Sequence, residues 1–167
     1  MLEEINRLSV FFEDCYREIS VREYSRENGM SPPTASAMLK GFEKKGLLIK
    51  REERGFLFFR VNQESKLMRD LSRIYWGNKL SGLIKSLEAD FPKAIVLFGS
   101  LSKLEVRKES DIDLAVFGSV KSEIALKKFE KELGRETHIM FYDSLDKVNK
   151  ELRLNLINGY IIRGYLS

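Results

Sequence analysis

Apolar residues recur three or four positions apart at the start of the chain, which is the spacing of one face of an α-helix. The residues of this face are Leu2, Ile5, Leu8, Phe12, Cys15 and Ile19. The pattern predicts one amphipathic helix. Ser20, with Glu23 three positions later, has the pattern of a capping box and starts a second helix. Ser31 followed by Pro32 predicts the start of a third helix, which ends at Gly46.

Two β-rich runs follow the third helix, Leu47–Arg51 and Phe56–Val61. The polar residues between them end in Gly55, so the two runs predict a hairpin with a turn glycine. The order of helix, helix, turn, helix and hairpin resembles the winged helix-turn-helix superfamily. We predict such a domain over residues 1–64. It either contacts DNA or serves only dimerisation and domain packing.

The third helix and the hairpin carry an excess of positive charge. Between Pro33 and Arg60, seven basic residues face three acidic ones. Such charges supply affinity for DNA phosphates, and small polar side chains early in the helix can reach base edges. The candidate DNA-binding residues are Thr34, Ser36, Lys40, Lys44, Lys45 and Arg54.

Residues 63–89 have the apolar spacing of a helix interrupted at Trp76 and Gly77. Its first part, residues 65–77, is predicted to be a connector. Further on, Gly118 and Ser119 predict the start of another helix, and Ser144 predicts the cap of the last one.

Two apolar runs, Ala94–Phe98 and Ile112–Phe117, have the composition of strands in a sheet covered on both faces. Gly99 and Ser100 follow the first run. A glycine at a strand end lets a ligand approach the backbone closely. A helix that starts at Ser100 would turn its free N–H groups outward as an anion site. We therefore predict a phosphate-binding turn here.

The second run starts within a polar segment that carries two carboxylates, Asp111 and Asp113. They lie two positions apart, so in an extended chain both side chains point to the same side. Their like charges repel unless a cation lies between them. A phosphate turn beside two carboxylates indicates chemistry on a nucleoside triphosphate with magnesium.

A Gly-Ser pair followed after about ten residues by Ser-Asp-x-Asp resembles the signature of the nucleotidyltransferase superfamily that includes DNA polymerase beta and the minimal nucleotidyltransferases. The matching residues are Gly99, Ser100, Ser110, Asp111, Ile112, Asp113 and Leu114. The resemblance implies a small α/β domain with a mixed sheet that binds an NTP, ATP first, with Mg²⁺ or Mn²⁺. It implies Asp111 and Asp113 as catalytic metal ligands, and Gly99, Ser100 and Ser110 as nucleotide-binding residues.

The chain departs from the family pattern in two places. A third strand is predicted over residues 135–142, where the family carries a third Asp, and His138 stands at that position. Glu136 lies two residues earlier on the same face, so either side chain is a candidate general base. Leu104 replaces a glycine that many members carry in the loop before the two aspartates.

Composition limits the location and the binding partners expected of the protein. The 167 residues carry a net charge of +4, which is compatible with nucleic-acid binding. Cys15 is the single cysteine, so an internal disulfide is excluded and a cytoplasmic location is expected. The sequence has no apolar run as long as a membrane span, and we expect no membrane association.

These patterns together predict an α+β protein with a winged helix-turn-helix over residues 1–64 and a nucleotidyltransferase-like domain over residues 65–167. The expected activity is metal-dependent transfer of a nucleotidyl group from an NTP to an acceptor hydroxyl. The alternative is a non-catalytic DNA-binding regulator or antitoxin-like protein that uses the fold to bind a nucleotide or a partner. The expected partners are an NTP, DNA, a partner protein as modification target, and a second copy of the chain.

Overall fold

The computed structural model describes residues 2–118 and 125–166. The chain divides into two compact units, and each is described by itself. The first consists of Met1–Ser72 with Leu104–Lys108, and the second of Arg73–Lys103 with Glu109–Ser167. In the described ranges, none of the helices has the length and apolarity needed to cross a membrane.

The first unit begins with short helices instead of the single helix that the apolar spacing predicted. Its elements before the hairpin are α1 (Leu2–Arg7), α2 (Ser9–Glu13), β1 (Ile19–Ser20), α3 (Val21–Glu27) and α4 (Pro32–Lys44). The side chain of Asp14 accepts a hydrogen bond from the N–H of Tyr16 at 3.1 Å. Such a local turn competes with helix formation, so the chain leaves the helix at Asp14. Ile19 is therefore a strand residue.

The predicted caps of α3 and α4 are confirmed. The N–H of Glu23 donates to Oγ of Ser20 at 3.3 Å, and the N–H of Ser20 donates to Oε2 of Glu23 at 2.8 Å. Both bonds together satisfy two N–H groups that the helix start would otherwise leave free. At the start of α4, Ser31 accepts a bond from the N–H of Thr34 at 3.3 Å.

The predicted hairpin forms from β2 (Leu48–Glu53) and β3 (Phe56–Val61). Arg54 and Gly55 make the turn with φ of 51° and 78°. Both values are positive, as a tight hairpin turn requires. β3 also pairs with β1, so the strands form an antiparallel sheet in the order β1-β3-β2. Large buried side chains fill the core of this unit, among them Phe11, Phe12, Tyr24, Leu39 and Phe59.

A long helix, α5 (Lys66–Lys79), and the helix α6 (Ser81–Glu88) follow. The predicted interruption at Trp76 and Gly77 is wrong, because α5 continues through both residues and ends just before Leu80. A glycine weakens a helix without breaking it.

The second unit is built on a four-stranded mixed sheet. Its remaining elements are β4 (Ala94–Phe98), α7 (Gly99–Lys103), β5 (Ile112–Phe117), α8 (Leu126–Leu133), β6 (Thr137–Tyr142), a 3-10 helix (Leu145–Lys147), α9 (Lys150–Ile157) and β7 (Tyr160–Gly164). The strand order is β6-β5-β4-β7. β5 and β6 run parallel, whereas β4 is antiparallel to both β5 and β7. The mixed sheet that the resemblance implied is therefore present.

The start of the last helix of the second unit differs from the sequence prediction. The last helix begins at Lys150 with Asn149 as its cap, because the side chain of Asn149 accepts a bond from the N–H of Leu152 at 2.9 Å. Ser144 instead precedes the 3-10 helix and makes no side-chain cap bond. The start predicted at Ser119 lies outside the described residues.

One face of the sheet and helix α9 share a core. It contains Ala94, Val96, Phe98, Ala115, Phe117, Val148 and Leu156. Every residue of β4 is buried, as expected for a central strand covered on both faces.

We expect Gly159→Ala to destabilise the protein by about 2 kcal/mol or more, because a Cβ at Gly159 would lie 2.8 Å from Cγ1 of Val96 and 2.9 Å from the carbonyl oxygen of Leu97. Thermal melting measures the change. The matched control is Gly82→Ala within α6, where a Cβ would meet only the Phe129 ring at 3.6 Å. Alanine should raise the melting temperature there, since it favours helix more than glycine does. Equal melting temperatures for the two variants would contradict this close packing.

Candidate active site

The Gly-Ser turn and the second aspartate meet at the end of two paired strands. Phe98, the last residue of β4, is the register partner of Asp113 on β5. Gly99 follows with φ of +67°, and a Cβ at this position would overlap with Oδ2 of Asp113. Only glycine fits both the backbone conformation and the space beside the carboxylate.

Helix α7 starts at Gly99, so Ser100 lies in its first turn and is half-buried. Ser102 is fully buried, and its hydroxyl donates to the carbonyl oxygen of Gly99 at 3.0 Å. The carbonyl oxygen of Ser102 accepts a bond from Nε of Arg73 at 3.0 Å. The turn that the sequence predicts to bind phosphate is therefore held by internal hydrogen bonds.

The third strand brings His138 and Glu136 to the same end of the sheet. His138 on β6 is the register partner of Asp113. Its Nδ1 lies 3.6 Å from Oδ1 of Asp113, and its Nε2 lies 3.3 Å from Oε1 of Glu136. The imidazole therefore stands between two carboxylates. Asp111 lies just before β5, and Ser110 precedes it.

Burial and neighbouring charges shift the pKa values of Asp113 and His138, whose side chains face each other. The pKa of Asp113 is raised, first because burial disfavours the carboxylate and further because Asp111 is nearby, while His138 opposes the shift. The pKa of His138 is raised as well, chiefly by the hydrogen bond with Glu136. Burial is thus the main cause for Asp113, and a neighbouring carboxylate is the main cause for His138.

The donor atoms at this point suit a hard divalent cation. Asp111 and Asp113 offer carboxylate oxygens, the ligands that Mg²⁺ prefers. A cation would also relieve the repulsion that helps to raise the pKa of Asp113. Across residues 2–118 and 125–166, no group of three or more His, Cys, Asp or Glu side chains forms a ready-made metal site.

The candidate DNA-binding residues lie on two elements of the first unit. Four of them belong to α4, which carries Thr34, Ser36, Lys40 and Lys44, while Lys45 caps the end of α4 and Arg54 is in the hairpin turn. Lys40, Lys44 and Arg54 are exposed. Lys45 is exposed too, but its Nζ lies 2.6 Å from Oε1 of Glu4. This ion pair joins residues far apart in sequence, so no local pattern could indicate it.

Sequence reasoning also missed Arg135. This residue lies just before β6, only 8% of it is exposed, and its Nη1 donates to the carbonyl oxygen of Ser110 at 2.6 Å. In the sequence, a single arginine between a glycine and a strand looks the same whether its side chain is buried or exposed to solvent.

We expect His138 to titrate above the usual histidine pKa of about 6.5, and Glu136→Gln to lower its pKa, because that variant removes the main cause of the shift. His138 is the single histidine of the chain, so NMR follows it without overlap. The protonated imidazole stabilises the fold below the pKa of the unfolded chain, and this contribution is lost as pH rises through the folded-state pKa. Glu132→Gln, an exposed change on α8, is the control. Unchanged titration in Glu136→Gln would contradict the observed pairing.

Comparison with known proteins gives the family. The family model described as polymerase beta, nucleotidyltransferase, matches residues 78–163 of the 167. A crystal structure of a toxin–antitoxin with AMP-PNP is 26% identical, with a TM-score of 0.41, and the match covers 53% of this chain and 73% of that one. A mutant of the toxin–antitoxin MntA-HpeT is 22% identical, with a TM-score of 0.39 and coverage of 51% and 72%. No curated protein matches the sequence.

The family model spans more than half of the chain and includes both motif segments and the third strand. The fold agrees with it, since the second unit is a mixed sheet with Gly99 and Asp113 on adjoining strand ends. The chain therefore belongs to the polymerase beta nucleotidyltransferase family.

Proposed function

We propose that the protein is a metal-dependent nucleotidyltransferase that moves a nucleotidyl group from an NTP, ATP first, to an acceptor hydroxyl. One observation carries this proposal. Asp113 on β5 lies directly beside Gly99, which follows β4, and opposite His138 on β6. This arrangement supports a phosphate-binding turn, a metal-binding carboxylate and a proton acceptor at one end of the sheet.

The backbone N–H groups around Gly99 and Ser100 hold the β- and γ-phosphates in this proposal, and Ser110 contacts the nucleotide. Asp111 and Asp113 would hold Mg²⁺ or Mn²⁺. When bound, such an ion neutralises charge that develops on the phosphates and orients the α-phosphate. The two carboxylates also keep the site negative enough to require the ion before a triphosphate can approach.

The acceptor hydroxyl must lose a proton, and His138 and Glu136 are the groups placed to take it. The imidazole is 47% exposed, and the Glu136 side chain is 69% exposed, so both are open to an incoming acceptor. The raised pKa of His138 means that it takes up a proton readily but is free to do so only above that pKa. Transfer through His138 should therefore increase with pH through this range.

A second candidate function rests on His138 occupying the place of the family's third aspartate. In that case the second unit only binds a nucleotide or a partner protein, and the chain acts as a DNA-binding regulator or antitoxin-like protein. A partner protein is also a candidate for the acceptor of transfer in the first proposal.

DNA binding belongs to both proposals. The order α3, α4, β2 and β3 supports a winged helix-turn-helix, and the exposed Lys40, Lys44 and Arg54 support phosphate contacts. Lys45 is already paired with Glu4, so its contribution should be the smallest of the basic residues.

We expect metal-supported ATP binding in calorimetry and its loss in Asp113→Ala, since the variant removes a ligand of the ion. Asp146→Ala, an exposed aspartate of the 3-10 helix, is the matched control and should bind as wild type does. Equal binding by Asp113→Ala, or no binding by wild type at millimolar ATP, would remove the site.

Transfer is tested with ATP labelled at the α-phosphate, offered with Mg²⁺ or Mn²⁺ to duplex DNA and to total cell protein. His138→Ala or Glu136→Gln should lower turnover about 10²-fold, the usual scale for a lost general base, with ATP binding largely kept. The double variant Asp111→Asn with Asp113→Asn should transfer nothing. If wild type binds ATP without transfer while His138→Asp gains transfer, the second candidate function replaces the first.

Duplex DNA should bind the full chain with an affinity that falls steeply with salt, by about 0.9 log units per log unit of salt for each phosphate contact. Reversing Lys44, Lys45 and Arg54 together to glutamate should abolish binding, and Lys45→Glu alone should weaken it least. Reversing the exposed Lys127, Lys128 and Lys131 of α8 provides the charge-matched control. Equal salt slopes for the triple variant and wild type would place the DNA surface elsewhere.

A further inference from the structure

Arg135 is a buried arginine between helix α8 and strand β6. Gly134 ends α8 in the left-handed conformation, with φ of 67°, and its N–H donates to the carbonyl oxygen of Glu130 at 2.8 Å. This turn directs the chain into β6, and Arg135 is left 8% exposed. Burying a guanidinium is costly unless its N–H groups are hydrogen-bonded, so its contacts are informative.

The indole of Trp76 and the backbone at Ser110 are among the groups that hold the guanidinium. It lies over the indole of Trp76, 5.2 Å from the ring centroid, and Trp76 is itself fully buried on α5. Its Nη1 donates to the carbonyl oxygen of Ser110 at 2.6 Å. A planar, charged donor stacked on a buried ring has little freedom, so the bond to Ser110 is well oriented.

The accepting carbonyl is next to the first aspartate of the candidate site. Ser110 immediately precedes Asp111, and Asp111 lies outside β5, which begins at Ile112. On the other side, the N–H of Ile112 donates to the carbonyl oxygen of Glu136 at 2.9 Å. The peptides before and after Asp111 are thus held by consecutive residues, Arg135 and Glu136.

We propose that Arg135 is a positioning residue that sets the direction of the Asp111 carboxylate for the metal and nucleotide site. The inference rests on the proposed function above. Asp111 lies outside the hydrogen-bonded strand, so its backbone can adopt more conformations than that of a strand residue. A metal ligand must be held within about 0.5 Å of its binding position to bind the ion tightly. The Arg135 bond removes that freedom before any ion arrives.

The test compares Arg135→Met and Arg135→Lys in the full chain. Methionine keeps an apolar stem against Trp76 but removes the donors, whereas lysine keeps the charge and one donor group. Arg153→Met is the matched control, because Nη2 of Arg153 also donates to backbone carbonyls in the second unit, those of Asp146 at 3.0 Å and Val148 at 3.1 Å.

The first measurement is the Mn²⁺ concentration that half-saturates ATP binding, taken by calorimetry. Arg135→Met should raise it about tenfold, the scale for losing a partner that orients a metal ligand, and Arg135→Lys about threefold. Arg153→Met should lower the melting temperature without changing the Mn²⁺ requirement. A shift of the same size in Arg153→Met would overturn the proposal, because it would reflect general destabilisation.

The second measurement needs neither metal nor nucleotide. Amide hydrogen exchange, read by mass spectrometry, should be faster over residues 109–113 in Arg135→Met and unchanged over β4. Unchanged exchange over residues 109–113 overturns the role of Arg135, even where wild type binds ATP. Faster exchange in a protein whose wild type binds no Mn²⁺ or ATP overturns the proposed function instead. If Arg135→Met does not fold, Arg135→Lys provides the same comparison, and wild-type behaviour in both measurements overturns the proposal.

Discussion

The pairing of β4 with β5, and of β5 with β6, is the constraint on which the candidate site depends. Hydrogen bonding between strands fixes which residues stand opposite each other, and here it aligns Phe98, Asp113 and His138 in one row. A shift of β5 by one residue would turn Asp113 to the other face, and the same shift of β6 would turn His138. The apolar core under the same face makes that shift costly, since it would expose Ala115 and Phe117 to water.

The row of Phe98, Asp113 and His138 concentrates negative charge where the backbone at Gly99 comes closest to the Asp113 carboxylate. Gly99 leaves no side chain between the turn and Asp113, and Glu136 and Asp111 add their charges nearby. The raised pKa of Asp113 shows that the fold bears a cost for holding this carboxylate half-buried. A group that destabilises the folded chain and lies at the meeting point of three strands is characteristic of a functional site.

Where the sequence predicted the structure well, the signal was local. The apolar runs of β4 and β5, the Ser20 capping box and the hairpin turn at Gly55 each depend on neighbouring residues. The prediction of a single first helix was wrong because it used the apolar spacing alone. The hydrogen-bonded turn at Asp14 ends the helix although that spacing continues. The predicted break at Gly77 was wrong because one glycine lowers helix stability only modestly.

Contacts between distant residues could not be predicted in this way. The Lys45–Glu4 ion pair and the Arg135–Ser110 bond join positions 41 and 25 residues apart, and nothing near either residue marks its partner. For the candidate site, the sequence therefore indicated the candidate side chains, while the residues that hold them in place became visible only in the fold. Supporting residues are chosen by packing geometry, which has no short-range signature.

The position of β6 at one end of the strand order has a consequence for how the candidate site can diversify. Asp113 belongs to a strand with neighbours on both sides, but His138 belongs to one that pairs with β5 alone among the described strands. Its side chain is 47% exposed, so a residue of another size or charge can occupy the position without repacking the interior. Evolution can therefore exchange the residue at position 138, and with it the charge on this side of the candidate site, while the neighbouring Gly99 and Asp113 stay unaltered.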